Sequence, residues 1–218
     1  MAEIKACIFD GSGVLIDDVK VIFNVSNKIL EELNINPVTF EDFQSRTKIP
    51  FWEYYKSFGL TEEQAKATDT HFRKIYPTFS NGVSLYPEAK NVLHRLKSNG
   101  VKRGMVTHLP RFVVLNHLIN FGIRGYFDVI AAFEDSDEHK PSPKPLLAAL
   151  SKIGINPENA VFVGDMVEDI LTGKRAGVKT AAIIRDSNPY QLKEQLLQHN
   201  PDYIISNLSE IFSNGILI

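Results

Sequence analysis

Ile4-Lys5-Ala6-Cys7-Ile8-Phe9 is a short apolar run with little alternation, and it stops at Asp10-Gly11-Ser12-Gly13. A stretch of this kind reads as a strand covered on both faces, as strands of parallel sheets are. The turn that follows contains two glycines, which leave bare backbone beside whatever binds there.

Later segments repeat the form: Arg103 to Thr107, Val129 to Phe133, Ala160 to Val163, Thr180 to Ile184, and a shorter Tyr203 to Ile205. Helical spacing fills the intervals. Glu88 to Ser98 places Ala89, Val92, Leu93 and Leu96 on one face, between Pro87 and Gly100. Phe112 to Phe121 and Pro145 to Ile153 follow suit, and Asp169 to Ala176 stops at Gly177. Alternating strands and helices predict an α/β fold with a doubly wound, mostly parallel, Rossmann-like sheet. Such sheets bind ligands beyond the carboxyl ends of their strands.

Residues 18–82 differ from this pattern. Val19 to Leu33, Phe51 to Phe58 and Glu62 to Tyr76 have helical character, and no strand stands out between them. The spacing predicts a small helical cap at 18–82, inserted into a core formed by 1–17 and 83–218. Its aromatic residues Phe51, Trp52, Tyr54, Tyr55 and Phe58 are expected to pack helices rather than touch a ligand.

The chain has 218 residues, 44% hydrophobic and 23% charged, with a formal net charge of -2. With 24 basic and 26 acidic side chains and no basic-aromatic stripe, nucleic-acid binding is not expected. The lone cysteine, Cys7, forms no intrachain disulfide. No apolar stretch is long enough to span a bilayer, and the opening residues are too polar for a secretory signal, so a soluble, cytoplasmic protein is expected. Oligomeric state is not encoded in any pattern found.

Asp10, taken alone, has two readings: a turn aspartate accepting backbone N–H groups, or a carboxylate held for chemistry. A second strand, Val161-Phe162-Val163-Gly164, leads into Asp165, with Asp169 four residues on at a helix start. On neighbouring parallel strands, Asp10 and Asp165 can reach one hard cation, for which magnesium is suited. Asp169 can join them, or serve as an acid favoured by the helix dipole. Thr107 closes another strand, where its hydroxyl can donate to a phosphate oxygen. Lys140, stiffened by Pro141 and Pro143, can neutralise a phosphate and Asp10, or lie in solvent.

Four segments in this order resemble the haloacid dehalogenase superfamily: Phe9-Asp10-Gly11-Ser12-Gly13-Val14-Leu15, Met105-Val106-Thr107-His108, Lys140-Pro141-Ser142-Pro143, and Gly164-Asp165-Met166-Val167-Glu168-Asp169. The helical insert resembles the cap of its phosphoglycolate-phosphatase-like and phosphoglucomutase-like branch. The resemblance implies Mg²⁺-dependent phosphoryl transfer. Asp10 would be the nucleophile, and Asp10, Asp165 and the Ser12 main-chain carbonyl would hold the metal. Thr107 and Lys140 would bind the phosphoryl group, and Asp169 would anchor metal-bound water or Lys140. The expected partner is a small phosphorylated metabolite, with Arg46, Lys48 and His108 as candidate substrate contacts.

The sequence departs from the superfamily's phosphatases at Ser12, where they carry an acid–base aspartate. Such help is worth about 10²–10⁴-fold in rate. Hydrolysis of a phosphate monoester is expected, with His108, His139, Asp17 or Asp18 as candidates to replace the lost group. One alternative is carbon–phosphorus cleavage like that of phosphonoacetaldehyde hydrolase, with Lys48 as the cap lysine. The other is a phosphate- and metal-binding protein with weakened turnover.

Overall fold

A computed structural model describes residues 3–187, 189–213 and 215–217. The first half of the chain forms β1 (Ala6–Phe9), β2 (Ile16–Asp17), α1 (Val19–Glu32), α2 (Phe40–Arg46), α3 (Trp52–Lys56), α4 (Glu62–Phe79), β3 (Ser84–Leu85), α5 (Ala89–Ser98) and β4 (Lys102–Val106). The second half forms α6 (Arg111–Asn120), β5 (Val129–Ala131), α7 (Lys144–Lys152), β6 (Ala160–Gly164), α8 (Val167–Ala176), β7 (Lys179–Ile183), α9 (Lys193–Leu197) and β8 (Tyr203–Ile205).

Six strands pair in the order β5-β4-β1-β6-β7-β8, each parallel to its neighbours. β1 is buried at every position. Its residues alternate between two apolar cores: Cys7 and Phe9 join one, Ala6 and Ile8 the other. A strand with apolar partners on both faces has no polar side to alternate with, which is why Ile4 to Phe9 lacks a period of two. Cys7 is fully buried, and burial pushes its thiol pKa up to about 12 against the pull of Arg103. The fold is therefore the doubly wound, Rossmann-like α/β arrangement, and every segment read as a strand joins this sheet within a few residues of its expected ends.

Strand order reverses at β1, where the chain runs outward to β4 and β5 on one side and to β6, β7 and β8 on the other. Phe9 pairs with Met105 of β4 and with Val163 of β6, so the carboxyl ends of these three strands lie side by side. A crevice at such a reversal is the usual ligand position in open α/β sheets.

β2 and β3 form a separate antiparallel ribbon, Ile16 opposite Leu85 and Asp17 opposite Ser84. The helices α1 to α4 lie between its two strands. Two-residue strands have no periodicity to detect, so the sequence carried no sign of the ribbon. α2 was also unmarked by apolar spacing, although Thr39 caps it by accepting from the Asp42 N–H. α4 begins with a capping box between Thr61 and Gln64 and runs three residues beyond Tyr76, with Pro77 inside it. Proline removes one helical donor near the end, and the last turn tolerates this loss. Among the described residues no helix is long and apolar enough to cross a membrane.

Candidate active site

The adjacent strands β1, β4 and β6 end in Phe9, Val106 and Gly164, so Asp10, Thr107 and Asp165 emerge at one edge. Asp10, Asp165 and Asp169 each bring a carboxylate oxygen within 4.8 Å of the others, and all three residues are buried. Two glycines permit this approach. Gly13 has φ +73°, and a Cβ there would stand 2.0 Å from Asp165 Oδ2. A Cβ on Gly164 would stand 2.2 Å from the Asp169 Cβ. Neither position accepts a larger residue without moving a carboxylate.

Lys140 enters from the loop before α7 and is 2% exposed. Its Nζ lies 3.1 Å from Asp10 Oδ2 and donates to Asp169 Oδ1 at 2.6 Å. Burial opposes its charge, but Asp10 and Asp169 outweigh burial and raise its pKa, so the ammonium stays charged. Asp169 Oδ2 accepts from the Met166 N–H at 3.1 Å, and Asp10 Oδ1 accepts from the Gly11 N–H at 2.7 Å.

Asp165 is different. Both its carboxylate oxygens are buried and neither has a hydrogen-bond donor. Burial, then the charges of Asp10 and Asp169, push its pKa well above the usual carboxylate range, with Lys140 opposing. Burial also drives Asp169 up to about 7, against Lys140 and with Asp10. Oxygen donors left short of positive charge fit a hard divalent cation. The three carboxylates can hold one.

Ser12 Oγ donates to Asp18 at 2.5 and 2.6 Å and meets the Tyr190 hydroxyl at 3.1 Å. Asp18 is 1% exposed, and burial pushes its carboxyl up to about 7, with the Ser12 hydroxyl opposing and Asp10 and Asp17 assisting. Thr107 Oγ1 accepts from the Leu109 N–H at 3.2 Å and lies against the bare backbone of Gly11. Neither ring nitrogen of His108 has a hydrogen-bond partner, and both are buried. Burial, then the charges of Lys140 and His139, lower its pKa well below the usual histidine value, so the ring is neutral at pH 7.

A cavity of about 120 Å³ adjoins Asp10, Ser12, Thr107 and His108, and Phe51, Trp52 and Tyr55 form part of its wall. These three aromatic residues therefore face the cavity besides packing helices, whereas Tyr54 and Phe58 pack only against their neighbours. Arg46 and Lys48 are not on the wall. The Arg46 guanidinium lies over the Phe58 ring at 5.1 Å, and Lys48 is exposed. His139 stacks on Phe133 at 4.2 Å, outside the cavity.

Arg185 and Gln191 had no sequence motif to mark them, and Glu168, inside the segment from Gly164 to Asp169, carried no sign of its partner. Arg185 donates to the Val14 carbonyl at 2.7 Å and pairs with Glu88 at 2.6 Å, tying the turn after β1 to the end of β7. Gln191 donates to the Thr47 carbonyl at 3.2 Å and accepts from the Val167 N–H at 2.7 Å. Glu168 accepts from the Ile49 N–H at 3.2 Å. The apolar run ending at Ile184 points to Arg185 as a strand-end residue, but nothing local indicates its partners.

The profile of the haloacid dehalogenase-like hydrolases matches residues 7–183. A pyrophosphatase PpaX of Oceanobacillus iheyensis is 29% identical over 214 residues, covering 97% of this chain and 96% of the relative. A phosphoglycolate phosphatase of Aquifex aeolicus is 30% identical over 210 residues, covering 95% of this chain and 94% of the relative. In fold, the chain superimposes with a TM-score of 0.83 on a haloacid dehalogenase-like family hydrolase of Streptococcus pneumoniae, at 23% identity and covering 97% of this chain and 98% of that one. The strand-end aspartates, the buried lysine and a match spanning most of the sheet agree: the chain belongs to the haloacid dehalogenase-like hydrolase family.

Proposed function

We propose that the protein is a magnesium-dependent hydrolase of a small phosphate monoester, working through an aspartyl-phosphate at Asp10. The observation that carries this reading is the division among the buried charges. Lys140 bridges Asp10 and Asp169, whereas neither oxygen of Asp165 is paired. A buried carboxylate without a donor is costly unless a cation comes to it. Asp10, Asp165 and the Ser12 main-chain carbonyl would hold magnesium, and Asp169 would chiefly hold Lys140. When bound, the metal supplies positive charge that offsets the carboxylates and the phosphoryl oxygens.

The chain's own residues do the rest. Asp10 attacks phosphorus, and the ester P–O bond breaks with its electron pair on the alcohol oxygen, which takes up a proton. Water then adds to phosphorus, the bond to Asp10 breaks, and inorganic phosphate leaves with the carboxylate restored. Lys140 offsets the repulsion between Asp10 and the phosphoryl group, and the Thr107 hydroxyl donates to a phosphoryl oxygen. Ser12 and Asp18 form a hydrogen-bonded pair beside Asp10, through which the alcohol's proton can pass.

Residues 18–82 would act as a cap that moves on the β2–β3 ribbon. Their contacts with the rest of the chain support a closed position: Arg73 pairs with Glu134 at 2.9 Å, and the Tyr76 hydroxyl meets His117 Nε2 at 2.6 Å. Closure excludes bulk water from the phosphoryl group. The names of the pyrophosphatase and phosphoglycolate phosphatase relatives agree with phosphoryl hydrolysis. The cytoplasm, where magnesium and phosphorylated metabolites occur together, is the compartment this reading implies. Carbon–phosphorus cleavage through Lys48 is less well supported, since that lysine is exposed and off the cavity wall.

Phosphate release from p-nitrophenyl phosphate, with and without magnesium, tests the proposal. Wild-type protein should release phosphate only with the metal, and Asp10→Asn protein should release none. Release without a divalent ion, or an undiminished rate in Asp10→Asn, would defeat it. Binding without release in wild type would favour the weak-turnover alternative.

A further inference from the structure

Beyond the phosphoryl edge, the cavity wall is mostly apolar and includes Ile22, Ile49, Phe51, Trp52, Phe72 and Phe133. Its volume of about 120 Å³ is of the order of the roughly 150 Å³ apolar cavity that accepts benzene in an engineered protein. Apart from Asp10, the charged residues on the wall are Lys66 and Asp69. Each is already engaged: Lys66 pairs with Glu62 at 2.6 Å and lies over the Trp52 ring at 5.2 Å, and Asp69 pairs with Arg73 at 2.6 Å. Arg46 and Lys48 face elsewhere. A second phosphate or a carboxylate in this space would lose its water, find no free cation, and meet the Asp69 carboxylate. Two polar groups on this wall are buried without a partner, the ring nitrogens of His108 and the hydroxyl of Tyr55, and of these His108 follows directly on the phosphoryl-side Thr107.

We infer that the substrate's leaving group is an uncharged, mostly apolar alcohol about the size of one six-membered ring, with a hydrogen-bonding atom that meets His108. The inference rests on the monoester reading and gives it a substrate class, set apart from pyrophosphate and from phosphoglycolate. Apolar area and one polar contact select this alcohol, since a ligand site owes orientation to a few polar groups and its grip to apolar walls. An analogue lacking the polar atom leaves His108 unpaired.

Binding and turnover can be read separately. Trp52 is the chain's one tryptophan and lies on the wall, so its fluorescence reports occupancy. With magnesium present, benzylphosphonate should bind at least about tenfold more tightly than phosphonoacetate or methylenediphosphonate. In turnover, kcat/KM for benzyl phosphate should exceed that for phosphoglycolate and for pyrophosphate by a similar factor. Phe72→Arg, at a half-buried helix position, should move the benzyl-to-glycolate ratio at least about tenfold toward phosphoglycolate. Tighter binding of phosphonoacetate or methylenediphosphonate, preferred turnover of phosphoglycolate or pyrophosphate, or an unmoved ratio in Phe72→Arg would overturn the inference. Selective binding of benzylphosphonate with no turnover of any ester would instead defeat the hydrolase reading and leave the cavity assignment standing.

Discussion

Ser12 Oγ lies 2.5 and 2.6 Å from the two carboxylate oxygens of Asp18, tying the turn after the central strand to the residue ahead of α1. Where the resemblance leads one to expect an acid–base aspartate, position 12 holds a serine, and a buried carboxyl stands directly behind its hydroxyl. Asp18→Asn should therefore lower kcat by about 10- to 100-fold, within the usual range for acid–base assistance, with a smaller change in KM. Ser12→Asp alone would press two carboxylates together, so it should gain less than Ser12→Asp combined with Asp18→Asn. Steady-state phosphate release decides the matter. A wild-type rate in Asp18→Asn would show that the proton takes another route.

Lys140 is the one cation between Asp10 and Asp169 among the ion pairs found at the described site. Lys140→Met removes a partner from two buried carboxylates and should cost about 3–5 kcal/mol of unfolding free energy. Urea denaturation without metal measures it. Magnesium should return part of the loss in stability but not the activity, because no side-chain cation would then offset the repulsion between Asp10 and the phosphoryl group. A loss below about 1 kcal/mol would mean the pair is largely screened.

Stability should depend on pH in a definite direction. The pKa of Asp165 is raised well above its ordinary value in the folded protein, and Asp18 and Asp169 are raised to about 7. The folded, metal-free protein thus keeps protons that the unfolded chain releases above about pH 4. The stability contributed by these three carboxyls is fully present below that point and declines as pH rises through 7. A divalent cation replaces the proton, so magnesium should raise Tm more at pH 8 than at pH 5.5. Thermal scans in EDTA and in magnesium test both statements, and Asp165→Asn should weaken the pH dependence and the metal response together.

The clasp between the helical insert and the sheet should govern access. Gln191 holds the Thr47 carbonyl, Glu168 holds the Ile49 N–H, and Gln44 donates to the Pro189 carbonyl at 2.7 Å. Gln191→Ala should raise KM several-fold, with a smaller effect on the chemical step measured in single turnovers. Unchanged KM with unchanged Trp52 fluorescence would show that the remaining contacts keep the insert closed.

Much of this site was legible before any coordinates. Apolar runs that end in Asp10, Thr107 and Asp165 announce strand ends, and parallel strands place such ends on one edge. The neighbours of β1 were less accessible, because pairing with β4 and β6 joins segments far apart in sequence. Asp18 was readable only as one of two adjacent acids; that it is buried against Ser12 depends on how the β2–β3 ribbon turns the chain. Arg46 and Lys48 illustrate the reverse failure. Their charge is plain in the sequence, but which way a helix or loop faces is set by tertiary packing, and here both face away from the cavity.

The solitary thiol of Cys7 sits in the middle of the sheet with its pKa pushed up to about 12. Alkylating reagents attack the thiolate, so labelling of this sulfur has to wait until the centre of the molecule comes apart. The chain thus carries its own gauge of global opening. Where reclosing outpaces alkylation, the rate at which iodoacetamide marks Cys7 under native conditions would read the free energy of that opening, without a dye, a tag or an engineered mutation.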